Sequence, residues 1–195
     1  MRKKPRPSAD RILVAAEALF SARGYAEVSL RQLIAHARVS TTAFYARFDS
    51  KAAVLQALAG AMFVDLHRAA ADALRSVRDL DDGIVRGAEL IDQQLGARRA
   101  LVRMILAEAG GVPELHAIRR ASYAGLVAFL AAHLRGLTAR RRVRVADPEA
   151  LAFGLVGALE LQVTRWAVWD ELDRDELAPM LVRVARATLP KEPRR

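Results

Sequence analysis

The chain contains no cysteine, which excludes disulfides, thiolate zinc sites and cysteine nucleophiles, and fits a reducing cytoplasm. Other enzyme signatures are missing too. The four histidines are scattered with no His-x-x-x-His pair. The Glu-x-x-His repeats of di-iron bundles, a serine elbow and a glycine-rich phosphate loop are all absent. No catalytic residue, metal or cofactor is therefore expected. Long uncharged runs are lacking as well. The most apolar stretch, Ala150 to Trp169, carries Glu160, Gln162 and Arg165, whereas a membrane span needs about 20 mostly uncharged residues. The N-terminus imitates a signal peptide, but Asp10 and Glu17 interrupt it, and its apolar residues fall on one helical face. β-branched runs and turn dipeptides are scarce, while alanine, leucine and arginine dominate. That balance favours an all-α fold, and 195 residues at 53% apolar content suffice for a sizeable core. No internal repeat is present.

What the chain does have is positive charge, placed unevenly. The net charge is +9. Residues 1–51 hold ten Lys/Arg against four acids, so +6 of that excess sits in about a quarter of the chain. Clustering of this kind suits a polyanion, because phosphate neutralisation releases counterions and supplies most non-specific affinity.

The segment Val28 to Leu55 reads as two short helices joined by a tight turn, followed by a third helix. That arrangement places a helix end in a DNA major groove. Ser29 is the predicted cap of the first short helix, with Gln32 as capping-box partner and Val28 and Leu33 as a hydrophobic staple. Leu30, Leu33, Ile34 and Ala37 follow at helical spacing. Ser40 is the predicted cap of the second, where Val39 and Phe44 repeat the staple. Ser50 caps the third, with Lys51 in its first turn, where helix amides and an ammonium attract phosphate.

On these residues the stretch from about Ser8 to Leu58 resembles the DNA-binding domain of the TetR (tetracycline-repressor-like) transcription regulators. The matching run is Ser29, Leu30, Leu33, Ile34, Ala35, Ala37, Val39, Ser40, Phe44, Tyr45, Phe48, Ser50, Lys51 and Leu55. The preceding helix matches at Ala15, Ala16, Leu19, Phe20, Gly24 and Tyr25. Two departures stand out. Arg38 occupies a turn position where the family usually has glycine. Thr41, Thr42 and Ala46 replace residues common in the family, so base preference does not carry over.

The resemblance implies an all-α chain of about nine helices: a helix-turn-helix head (1–55) joined by a long helix to a ligand-binding and dimerisation body (56–195). The periodicity predicts helices over about Ser8–Arg23, Ser50–Val77, Asp82–Leu95, Arg98–Ala109, Pro113–Leu137, Pro148–Trp169 and Arg174–Leu189. Gly24, Gly96, Gly110, Gly111 and Pro113 mark boundaries, and Asp147 and Asp173 are predicted caps. Thr138 to Asp147 reads as a basic loop, either a solvated connection or a second nucleic-acid or partner contact.

At the DNA, Thr41 and Thr42 are expected at base edges or nearby phosphates. Ser29, Arg38, Ser40 and Lys51 are expected at the backbone, with Tyr45 on a phosphate as the resemblance implies. Phe44 is expected in the small core or facing the groove. Arg2, Lys3 and Lys4 form a basic arm that reaches an adjacent groove. A head of this size reads two half-sites as a homodimer. The final helix pair is the expected interface, through Leu151, Leu155, Ala158, Leu159, Leu177, Leu181 and Val184. The resemblance also implies a cavity for a small apolar or amphipathic effector. Candidate lining residues are Phe63, His67, Met104, Glu108, His116, Tyr123, Phe129, Gln162 and Trp166. The reading is a cytoplasmic, ligand-responsive repressor on a palindromic double-stranded operator. Its rivals are a helical-bundle enzyme and a nucleoid-type DNA binder with a solid body.

Overall fold

The structure, a computed structural model, describes residues 8–75, 77, 79–108, 111–140 and 143–189. Among them every regular element is helical: α1 (Ser8–Arg23), α2 (Leu30–Ala37), α3 (Thr41–Tyr45), α4 (Lys51–Arg75), α5 (Leu80–Gly96), α6 (Arg99–Glu108), α7 (Pro113–Ala139), α8 (Pro148–Ala167) and α9 (Leu177–Thr188). None of these is long and apolar enough to cross a membrane.

The helices fall into two compact units. One comprises residues 1–62 with 100–118, the other 63–99 with 119–195. In the first, α1 packs on α2 and α3. Ile12, Ala15, Ala16, Leu19 and Phe20 are buried, as the stripe predicted. The helix ends at Gly24, whose φ of 83° suits a residue without Cβ, and whose N–H closes on Phe20 O at 2.9 Å.

In the second unit α9 packs against both α5 and α8. Ion pairs tie α5 to the segment around α9 at two places. Arg186 Nε and Nη2 each donate to Asp81 at 2.7 Å, and Arg174 bonds the Asp92 carboxylate. The Arg174 guanidinium lies against Gly96, where a Cβ would collide with it. A separate cluster of Ala131, Leu134 and Ala152, flanked by Val127, Leu130 and Leu151, packs α7 on α8.

Most helix ends fall within two residues of the sequence reading; at two starts the capping differs from it. Asp79, which lies between the predicted helices, caps α5 by accepting from Asp82 N at 2.8 Å. α9 starts at Leu177, not Arg174. Asp173 does not cap it: its N–H donates to Glu176 Oε2 at 2.8 Å, and the side chain three residues on holds a turn ahead of the helix.

Candidate nucleic-acid interface

The head is built from caps. Ser29 is extended (φ −77°, ψ 154°). Its Oγ accepts from Gln32 N at 3.2 Å, while Gln32 Oε1 accepts from Ser29 N at 2.8 Å. This reciprocal box stabilises the helix start by about 1 kcal/mol. Val28 and Leu33 are buried beside it.

The turn after α2 runs through Arg38 in the left-handed region, φ 52° and ψ 46°. Its N–H reaches Ala35 O at 3.1 Å and Val39 N reaches Ile34 O at 3.4 Å, which terminates α2. A side chain in this region costs on the order of 1 kcal/mol. Arginine therefore occupies the backbone shape that glycine gives more cheaply. Arg11 Nη1 donates to Arg38 O at 3.1 Å, and the Arg38 side chain is exposed.

Ser40 (φ −75°, ψ 157°) then caps α3, accepting from Ala43 N at 3.1 Å. Thr41 and Thr42 are exposed at the tip, and Tyr45 is 51% exposed. Phe44 points the other way. It is 0% exposed, edge-on to Tyr45 at 5.5 Å and 6.1 Å from Phe48. This corrects its place among the groove-facing candidates: its ring is the floor of the head.

Lys51 requires a second correction. Expected at a phosphate, it is turned inward. Its Nζ donates to Tyr25 O and Val28 O, each at 2.8 Å, and sits 4.1 Å from the Tyr25 ring centroid. Ser50 performs the predicted capping, accepting from Ala53 N at 3.0 Å. Lys3 and Lys4, with the rest of the arm, lie outside the described residues. Two exposed cations of this head, Arg31 and Arg47, were not singled out in the sequence. Their signal was their share in the local charge excess.

Residues 12–58 match the family model described as "Bacterial regulatory proteins, tetR family". The HTH-type transcriptional regulator UidR of Escherichia coli (strain K12) is 27% identical over 137 residues, 69% of this chain and 68% of that protein.

Residues 12–58 are a DNA-binding head of the tetR family of bacterial regulatory proteins.

The fold agrees. The fatty acid degradation regulator FadR from Bacillus halodurans superposes with a TM-score of 0.81 at 20% identity, over 95% of this chain and 96% of that one. Salmonella enterica GusR superposes with a TM-score of 0.72 at 22% identity, over 95% and 98%. With its tetR-type head and its likeness to UidR, the chain is a DNA-binding transcriptional regulator.

Elsewhere in the regulator, the candidate effector residues divide between the units. Met104 is buried in the first. Glu108 closes α6 in the same unit, and its side chain lies outside the described residues. His116 is exposed, and Phe129, in the second unit, is half-buried. In the second unit the Phe63 ring meets Tyr123 edge-on at 6.4 Å. His67 Nε2 lies 3.1 Å from Ser122 O. Two residues not foreseen complete this cluster: Arg119 donates from Nε to Tyr123 OH at 3.2 Å and pairs with Glu160. Burial, then the hydrogen bond to Glu160, pushes the Tyr123 phenol up from its ordinary value. Gln162 is buried and accepts from Arg165 Nη1 at 3.0 Å. Trp166 is fully buried beneath Arg99, whose Cζ is 5.1 Å from the ring. Arg99 also bonds Trp166 O and Asp170, which sets a cation at the C-terminal end of α8.

The expected dimer residues divide as well. Leu155, Leu177 and Leu181 are buried inside the regulator's own second unit, because α9 lays that face on α5 and α8. They are corrected from interface to core. Leu151, Ala158, Leu159 and Val184 are half-buried. The apolar surface that α8 presents outward consists of Phe153, 72% exposed, and Leu161, 47% exposed, with exposed Gly154 and Gly157 between them.

Proposed function

We propose that this regulator is a non-catalytic, cytoplasmic repressor that binds a palindromic operator as a homodimer and is released by a small apolar or amphipathic effector. Residues 1–55 serve the DNA and residues 56–195 serve the effector and the partner subunit. One observation carries the reading: Ser40 caps a helix whose first two residues, Thr41 and Thr42, are exposed on a basic head.

Thr41 and Thr42 read base edges, since a threonine can donate, accept or touch a thymine methyl. Ser29, Ser40, Tyr45 and Arg38 hold phosphates and set the register, as the exposed cations Arg31 and Arg47 do. The arm with Lys3 and Lys4 follows an adjacent groove. Two heads on one duplex need a two-fold pairing. The α8 face of Phe153, Gly154, Gly157 and Leu161, with Ala158 at its edge, suits it: glycines admit a close helix, and the aromatic and leucine side chains bury against a second copy. The Phe63, His67 and Tyr123 cluster, with Gln162, supplies the mixture of apolar wall and few polar groups that small-molecule sites use. An effector bound there releases the operator only through greater affinity for the state that does not bind DNA.

The test is selection of duplexes from a random pool with the full chain. The expected result is a palindromic consensus. A consensus without two-fold symmetry would remove the homodimeric operator, and failure to enrich any sequence would favour a nucleoid-type binder.

A further inference from the structure

Within the DNA-binding reading, we propose that Lys51 is a positioning residue: it fixes the start of α2, and so the recognition tip, by holding the turn before it, and it does not itself contact phosphate. The turn consists of Tyr25 to Val28, with Val28 N on Tyr25 O at 3.4 Å. Both carbonyls that end this turn, Tyr25 O and Val28 O, converge on the one ammonium at 2.8 Å. The Tyr25 ring covers a further side at 4.1 Å, and Phe20 supports that ring edge-on at 5.3 Å.

An ammonium has three donors and no acceptor. Two are directed at carbonyls and the charge faces the Tyr25 ring, so at most one donor is left over, too few for the ammonium to serve a phosphate as its main partner. Both carbonyls lie outside helices; Tyr25 O also takes Val28 N, whereas Val28 O would otherwise need water or a cap. The residue after Val28 is Ser29, the cap of α2. Tyr25 is one residue past Gly24, where α1 has just ended. The ammonium at the first turn of α4 therefore joins the end of α1 to the start of α2. Loss of the tie would leave the phosphate-facing groups in place and blur the angle at which Thr41 and Thr42 approach the bases.

A phosphate contact and a positioning residue differ in what they do to salt dependence and to discrimination. The duplex selected by the wild-type chain is the specific probe, and poly(dI-dC) is the non-specific one. Concentrations of active protein are set by stoichiometric titration, so that unfolded material does not count. Lys51→Met keeps the stem and removes the charge. It is expected to weaken the selected duplex roughly tenfold, leave poly(dI-dC) within about twofold, and keep the salt slope unchanged. Lys51→Arg keeps the charge, and its planar fork serves phosphate well but not two convergent carbonyls beneath a ring. It is expected to lose discrimination too, and it covers the case in which the methionine variant does not fold. A salt slope lowered by about one in the methionine variant, with equal losses on both DNAs, would make Lys51 a phosphate contact and overturn the proposal. Undiminished discrimination in the arginine variant would also overturn it. Failure of the wild-type chain itself to select a duplex would count against the operator reading.

Discussion

Arg11 Nη1 donates to the carbonyl of Arg38 at 3.1 Å, so one arginine braces the backbone of another that stands at φ 52°. The brace holds a turn that glycine would adopt without a Cβ penalty. Arg38→Gly is therefore expected to raise stability by about 0.5–1 kcal/mol, after the unfolded-chain entropy of glycine offsets part of the relief. If the exposed guanidinium serves a phosphate, the same variant lowers the salt slope of DNA binding by about one. Urea melts and a salt titration check the two halves separately.

Thr42→Ala is expected to change which sequences are selected, while the salt slope stays as in the wild type. The removed hydroxyl carries no charge and stands exposed at the tip of α3. A variant that kept the wild-type consensus would remove Thr42 from base readout.

Replacing Leu161 with arginine, or Phe153 with aspartate, is expected to yield monomers in sedimentation while leaving the melting temperature of each chain nearly unchanged. Phe153 is largely and Leu161 about half exposed within the regulator's own fold, so little intrachain packing is lost. Persistence of a dimer in both would move the two-fold contact elsewhere.

His133 carries a pH dependence. Burial, then the Arg140 charge, holds its imidazole below the usual value of 6.5. The unfolded chain thus takes up this proton before the folded one does. Stability from this group is present above pH 6.5 and is lost as pH falls through the folded value. His133→Gln is expected to flatten that part of the stability profile, read from denaturant melts across mildly acidic pH.

Tyr123 acts at the other end. Its phenol is raised by burial and then by the bond to Glu160, so the unfolded chain loses this proton first. The contribution is complete below the ordinary value of 10.0 and declines as pH rises beyond it. In an alkaline absorbance titration, Tyr123→Phe is expected to remove a tyrosine step that lies above the ordinary value. It should also cost about 1 kcal/mol at neutral pH through the lost hydrogen bonds.

The parts of the site legible in the sequence were those set by short-range chemistry. Ser29, Gln32 and Ser40 cap as their spacing predicts, because a cap depends on residues two or three positions away. Gly24 ends α1 for the same reason. Lys51 was not legible: its partners are backbone carbonyls more than twenty residues upstream, and backbone groups leave no trace in side-chain spacing. The orientation of α8 was hidden for another reason. Its sequence is apolar around most of the helix, so periodicity alone did not say that Leu155 faces inward and Phe153 outward. The late start of α9 was not legible either: Glu176 accepts from Asp173 N, the backward half of a capping box, and yet the regular helix begins only at Leu177.

The crowding of Arg174 onto Gly96 links two sites far apart along the chain. A methyl at 96 would meet only the far end of that long side chain, so the guanidinium would have to swing aside and take a different approach to Asp92. Alanine at 96 should therefore be tolerated in the fold while loosening the tie between α5 and the segment ahead of α9, and a lineage that acquires it gains least from keeping the arginine.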